Sequence, residues 1–209
     1  MHLMKRIVTL VCFLGLFLGF ACTSPASAQG TVFVSASHPE YISLNDSEDF
    51  DYGHEEIEFS KTRDGVLHMR DDDTGKMLMT FRSYEGSGDA SYAVRTIHTA
   101  NPTMTFFEIN ASSGAHAKNT GYWIVGKRDG QWVVFVSIDS LAAMGYTPEK
   151  WHRIKTAVNE YDNGKFILTS EHEYMPPGAQ YGYQMKSAVD LRLELFWDQN
   201  ARWFGIRPY

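Results

Sequence analysis

The chain has 209 residues, 44% of them hydrophobic, 14% aromatic and 21% charged, with a formal net charge of -6 and two cysteines. This is the composition of a folded globular chain, and it excludes a collagen, a disulfide-stapled miniprotein and a disordered tail. The excess of acid argues against nucleic acid as a partner.

Lys5 and Arg6 precede an apolar run from Ile7 to Ala21, and small residues follow up to Ala26, Ser27 and Ala28. That order of charge, grease and small residues predicts a signal peptide over 1–28, with cleavage after Ala28 and export to the periplasm or the exterior. The run is shorter than the roughly 20 residues that span a bilayer, and no second apolar run follows, so no transmembrane helix is expected in the mature chain. Cys22, after Gly19-Phe20-Ala21, offers a second reading as a lipid-attachment site, although Phe20 is bulky for that position. Cys12 and Cys22 both precede Ala28. The cleaved chain is therefore cysteine-free, which excludes disulfides and thiolate chemistry from it.

Residues 29–56 read as an irregular acidic arm with one β-like run, Thr31 to Ser35. Residues 57–209 read as a single β-rich domain. Its apolar runs are short and are separated by Arg63-Asp64-Gly65, Asp73-Thr74-Gly75, Arg128-Asp129-Gly130, Asp162-Asn163-Gly164 and Asp198-Gln199-Asn200. Such residues accept the left-handed backbone of tight turns, so the runs are expected to pair as hairpins.

A three-residue loop at Arg63-Asp64-Gly65 sets Phe59 opposite Met69 and Lys61 opposite Leu67, and so gathers Ile57, Phe59, Leu67 and Met69 on one face. Pairing Met69 with Met77 and Leu67 with Met79 extends this to a three-stranded meander from Ile57 to Phe81. The hairpin from Tyr122 to Val136 is apolar on both faces in either register and demands cover on both sides. A short helix from Ser140 to Met144 is expected, with Asp139 as cap and Gly145 as stop. Thr147-Pro148-Glu149, followed by Trp151, Ile154, Val158 and Tyr161 at spacings of three and four, predicts an amphipathic helix that covers the central hairpin. Near the end, a turn at Gln199-Asn200 sets Leu195 opposite Phe204, with Arg192, Glu194 and Arg207 on the wet face. The fold class expected is α+β, mainly an antiparallel β meander or sandwich of hairpins with one amphipathic helix packed on a two-sided central hairpin.

Chemistry is sparsely signalled. In a strand, Glu171 and Glu173 project to one face and His172 to the other, so the three do not converge on one ion. The acidic stretches Asn45 to Asp51 and Asp71 to Gly75 fit no calcium loop. Glu85-Gly86-Ser87-Gly88-Asp89 breaks the spacing of a nucleophile elbow, and neither a phosphate loop nor a dinucleotide fingerprint is present. No cofactor or metal is therefore expected.

The segment from Tyr174 to Tyr183 is different, because Pro176, Pro177, Gly178 and Gly182 oppose regular strand and leave Tyr174, Tyr181 and Tyr183 on a loop. Tyrosines on a stiffened loop bind sugars or peptides through a flat apolar face and a hydrogen-bonding tip, and Glu171 and Glu173 stand ready to add acceptors. The expected function is an exported, non-catalytic binding or interaction module for a glycan, peptide or protein partner. The alternative is a secreted or periplasmic hydrolase of a glycan or peptide that uses carboxylates. The export reading has a direct test: N-terminal sequencing of exported protein returns Gln29, whereas Met1 or a lipid-modified Cys22 sinks it.

Overall fold

A computed structural model describes residues 33–35, 41–83, 90–100, 103–113, 118–146, 153–159, 164–179 and 186–209. These form three antiparallel sheets and one short helix. The central sheet runs β1 (Phe33–Ser35), β7 (Ser91–Thr99), β8 (Thr105–Ser113), β9 (Lys118–Arg128), β10 (Gln131–Ser137), and β2 (Ile42–Leu44) also pairs with β7. An N-terminal sheet orders β3 (Ser47–Tyr52), β4 (Glu55–Lys61), β5 (Val66–Asp71) and β6 (Met77–Arg82). A C-terminal sheet orders β11 (Arg153–Asn159), β12 (Lys165–Tyr174), β13 (Lys186–Asp198) and β14 (Trp203–Pro208).

The two outer sheets cover the two faces of the central one. Adjacent residues show why: Phe106 packs with Phe135, Trp197 and Phe204 on the C-terminal side, while Phe107 packs edge-on against Phe50 and Phe59 on the N-terminal side. In β9, Tyr122 and Ile124 face the first core and Val125 faces the second. The two-sided cover expected of the central hairpin is thus present, but it is made of sheets.

That finding corrects the helix expected over Thr147 to Tyr161, because residues 153–159 are strand β11 and pair with β12, Ile154 opposite Ser170 and Val158 opposite Phe166. A spacing of four between Ile154 and Val158 is even, and so fits the two-residue period of a strand as well as one turn of helix. The β-branched Ile154, Thr156 and Val158 then favour the strand. Trp151 and Tyr161 lie outside the described residues. The other expected helix is present as α1 (Ile138–Ala143), and it buries Ile138 and Leu141. Its cap is Ser137 rather than Asp139, because Ser137 and Ser140 exchange side-chain and backbone hydrogen bonds in a capping box, which leaves Asp139 in the first turn.

Residues 41–52 are likewise not irregular, since β2 and β3 belong to the central and N-terminal sheets. The acidic run hides a strand: Asp49 and Asp51 alternate with Phe50, which is buried, and Tyr52, whose hydroxyl accepts from the Lys127 N–H at 2.8 Å. The Arg63-Asp64-Gly65 loop has the expected register, Phe59 to Met69 and Lys61 to Leu67, with Gly65 at φ 75°. The next strand is two residues out of the expected register. Met69 meets Met79 and Leu67 meets Phe81, and a bulge at Leu78 then sets Arg70 opposite Met77. The last hairpin is also shifted by two, Leu195 to Ile206 and Trp197 to Phe204, because its turn spans Gln199 to Arg202. A shift of two preserves faces, so Glu194 and Arg207 share one as expected, and the shift sets them directly opposite each other.

Phe106→Ala and Phe107→Ala should each cost about 3–5 kcal/mol in urea unfolding, because both rings are fully buried in separate cores. A cost below about 1 kcal/mol for either would mean that its layer is not packed as described.

Candidate functional site

The layer between the central and C-terminal sheets changes character along its length. One end is fastened at both sides: the Phe33 N–H donates to the Gly164 carbonyl at 2.8 Å, and Arg202 pairs with Asp129 across the two hairpin turns. Near this end the inward residues are aromatic and aliphatic, among them Phe106, Phe166, Leu168, Leu195 and Trp197. Moving away from it, the inward positions become Glu108 and Asn110 on β8, Tyr122 and Asn119 on β9, and Ser170 and His172 on β12. Strand β11 lies against β9 as well as β1.

On the central sheet, Arg95 and Glu108 are cross-strand neighbours and are buried at 7% and 0% exposure. The Arg95 Nε–H donates to Glu108 Oε2, the Tyr122 hydroxyl donates to Glu108 Oε1 at 2.7 Å, and the guanidinium lies 4.7 Å from the centre of the Tyr41 ring. Burial and then the Glu108 carboxylate push the Tyr122 phenol well above its ordinary value. Burial is the largest single influence on Arg95 and opposes its charge, but the Glu108 carboxylate together with Tyr41 and Tyr122 outweighs it and holds the guanidinium above its usual value. The cluster is thus an internally neutralised pair with a protonated phenol attached.

On the C-terminal sheet, Asp190 Oδ1 lies 2.6 Å from His172 Nδ1. An ionised carboxylate only accepts, so Nδ1 carries the proton and Nε2 is the ring's second functional atom. Asp190 is where it is because of a bulge: Ser170 pairs with Leu191 and Glu171 with Val189, which leaves Asp190 as the extra residue. Strand β9 also carries a bulge, in which Ala111 pairs with Gly121 and Ser112 with Asn119, which leaves Thr120 as the extra residue. Bulges re-aim side chains, and the extra residue of each of these two is polar.

Comparison with protein-family models, with curated proteins and with solved structures finds no match. Any functional reading therefore stands on the chain's own residues.

Of the residues singled out in the sequence, Tyr174 is 40% exposed at the end of β12, with its ring 5.9 Å from that of His172. Met175 beside it is 45% exposed, and the following turn is closed by Ala179 N–H donating to the Pro176 carbonyl at 3.1 Å. Tyr181 and Tyr183 lie outside the described residues. Glu171 and Glu173 are half-buried on the other face of β12, opposite Val189 and Ser187, so the strand separates them from Tyr174. Among the described residues no three potential ligands gather as a metal site.

Sequence reasoning passed over Arg95, Glu108, Tyr122, Ser170, Asp190 and Thr120. A signal for the first two was present: Arg95 and Glu108 are single opposite charges inside runs that are apolar on both faces, Tyr92 to Ile97 and Phe106 to Ile109.

Removing Glu108 should be severe, because Glu108→Ala takes the carboxylate from a buried guanidinium, at a cost of about 3–5 kcal/mol. The phenol yields a pH test. The folded state keeps the Tyr122 proton that the unfolded chain releases above about pH 10, so this contribution to stability is complete below that pH and is lost as pH rises above it. Tyr122→Phe should flatten the alkaline decline measured by urea unfolding, with a residual slope from Tyr52 and Tyr92, whose phenols burial also raises.

Proposed function

We propose that the chain is an exported, non-catalytic binding module that engages a glycan at the free end of the β12–β13 hairpin. The observation that carries this reading is Tyr174. A large aromatic ring is left 40% exposed at the end of a strand whose earlier inward residues, Phe166, Leu168 and Ser170, are fully buried. Pro176 and Pro177 fix two backbone angles beside it before any ligand arrives, which lowers the ordering cost of binding. An exposed aromatic ring suits the apolar face of a sugar, and the imidazole of His172, 5.9 Å from Tyr174 between ring centres, supplies a hydrogen-bonding group.

The hydrolase reading keeps one observation in its favour: Asp190 and His172 meet at hydrogen-bond distance, which is how a carboxylate orients an imidazole for proton transfer. It also loses one, since the hydroxyl of Ser170, two residues before His172 on the same strand, is fully buried and makes no hydrogen bond to His172.

A glycan array probed with the mature protein tests the proposal. Binding to a defined glycan class that weakens about tenfold or more in Tyr174→Ala, with unchanged thermal stability, supports it. Turnover of a bound glycan that His172→Gln abolishes would favour the hydrolase instead.

A further inference from the structure

Strand pairing fixes which side chains share the surface around Tyr174. Beyond the bulge, β12 and β13 pair without a break, so Tyr174 is directly opposite Lys186 and His172 is directly opposite Ala188. Residues paired in this way project to the same face, with Cβ atoms about 5 Å apart. One face of this single hairpin therefore carries four side chains in two rows: a phenol ring and an ammonium in the outer row, an imidazole and a methyl group in the inner one. The outer row is exposed and the inner row half-buried. Glu171 and Glu173 pair with Val189 and Ser187 and belong to the opposite face.

Lys186 is the unusual member of the four. The chain carries more acid than base, and two other lysines that stand beside aromatic rings each have a carboxylate as well. Lys127, near Tyr52 and Trp132, pairs with Glu55, and Lys165, near Tyr209, lies 3.8 Å from Glu194. Lys186 stands opposite a ring and pairs with no acid among the described residues. Asp190 is four residues further along β13, roughly 13 Å of extended strand, and its Oδ1 already accepts from His172 Nδ1. That bond fixes the tautomer of the imidazole and leaves Nε2 as an acceptor.

We infer that the glycan received at this hairpin end is anionic, with one acidic group on the recognised sugar unit. The C–H face of the sugar lies on the Tyr174 ring, its acidic group pairs with the Lys186 ammonium, and one of its hydroxyls donates to His172 Nε2. The inference rests on the glycan reading above and narrows it to a ligand class. An ammonium is a compact point charge, so a carboxylate and a sulfate both suit it. A dense polyanion does not, because the excess of acid on the chain repels it.

The test presents matched neutral, uronic and sulfated oligosaccharides on an array to the mature wild-type protein and to Lys186→Gln, Lys76→Gln and Tyr174→Ala. The wild type should bind a uronic or a sulfated class about threefold or more tightly than its neutral counterpart, and Lys186→Gln should bind the two alike. Whichever acid is preferred tells a carboxylate from a sulfate. Lys76→Gln removes the same charge from the turn between β5 and β6 and should keep the preference. Tyr174→Ala should weaken neutral and acidic sugars together, because the ring serves both. A wild type that prefers the neutral class or binds all classes equally overturns the anionic ligand and leaves the glycan reading standing. So does a preference that survives in Lys186→Gln, or one that is lost equally in Lys76→Gln. Binding to none of the oligosaccharides overturns both.

Discussion

Strands β8 and β9 carry large apolar side chains on both faces, and a sheet of that kind has no face it can turn to water. Phe106 and Phe107 are adjacent in the chain and yet belong to different cores. Every other part of the architecture follows from that constraint. One outer sheet is assembled from residues before β7–β10 and the other from residues after them, so the chain wraps its own middle. Each layer then needs a rigid tie as well as grease. Tyrosines supply it on the N-terminal side, where the Tyr92 hydroxyl donates to the Gly65 carbonyl at 2.7 Å and accepts from Ser83 N–H at 3.1 Å.

The same constraint makes the polar end of the other layer conspicuous. An Arg–Glu pair buried between sheets is a poor source of net stability, because desolvating two charges offsets most of their attraction. What it supplies is direction. Arg95 and Glu108 can face each other in only one register of β7 and β8, and Tyr122 extends that register to β9. Gly121, between these positions and Trp123, adds a steric requirement: a Cβ there would overlap the Trp123 ring, so the indole lies flat over bare backbone.

Much of the fold was legible in short-range pattern, and the failures have a common cause. Turn chemistry located the hairpins, and the alternation of apolar residues assigned their faces correctly even where the register slipped by two, because a two-residue slip leaves every face unchanged. Residues 153–159 were misread as helix because positions four apart share a face in helix and strand alike. The acidic strand β3 was missed since its exposed positions carry the charge and only Phe50 and Tyr52 carry the pattern. The site was less legible than the fold. Tyr174 stood out by its neighbours, whereas Thr120 and Asp190 acquire meaning only from bulges, which depend on the length of the partner strand and leave no mark in the local sequence.

Strand β1 has a consequence for how the molecule comes to exist in time. Phe33 takes its backbone partners from Thr99 and Gly164, and its ring packs at a tilt against Phe166 and stacks on Phe204. All of these are made much later than Phe33 itself. The layer it completes therefore closes only when nearly the whole chain has been released, and pairings so distant in sequence form slowly. Through most of its synthesis the polypeptide lacks the parts of its own C-terminal core, while the locally paired strands of the N-terminal sheet are already present.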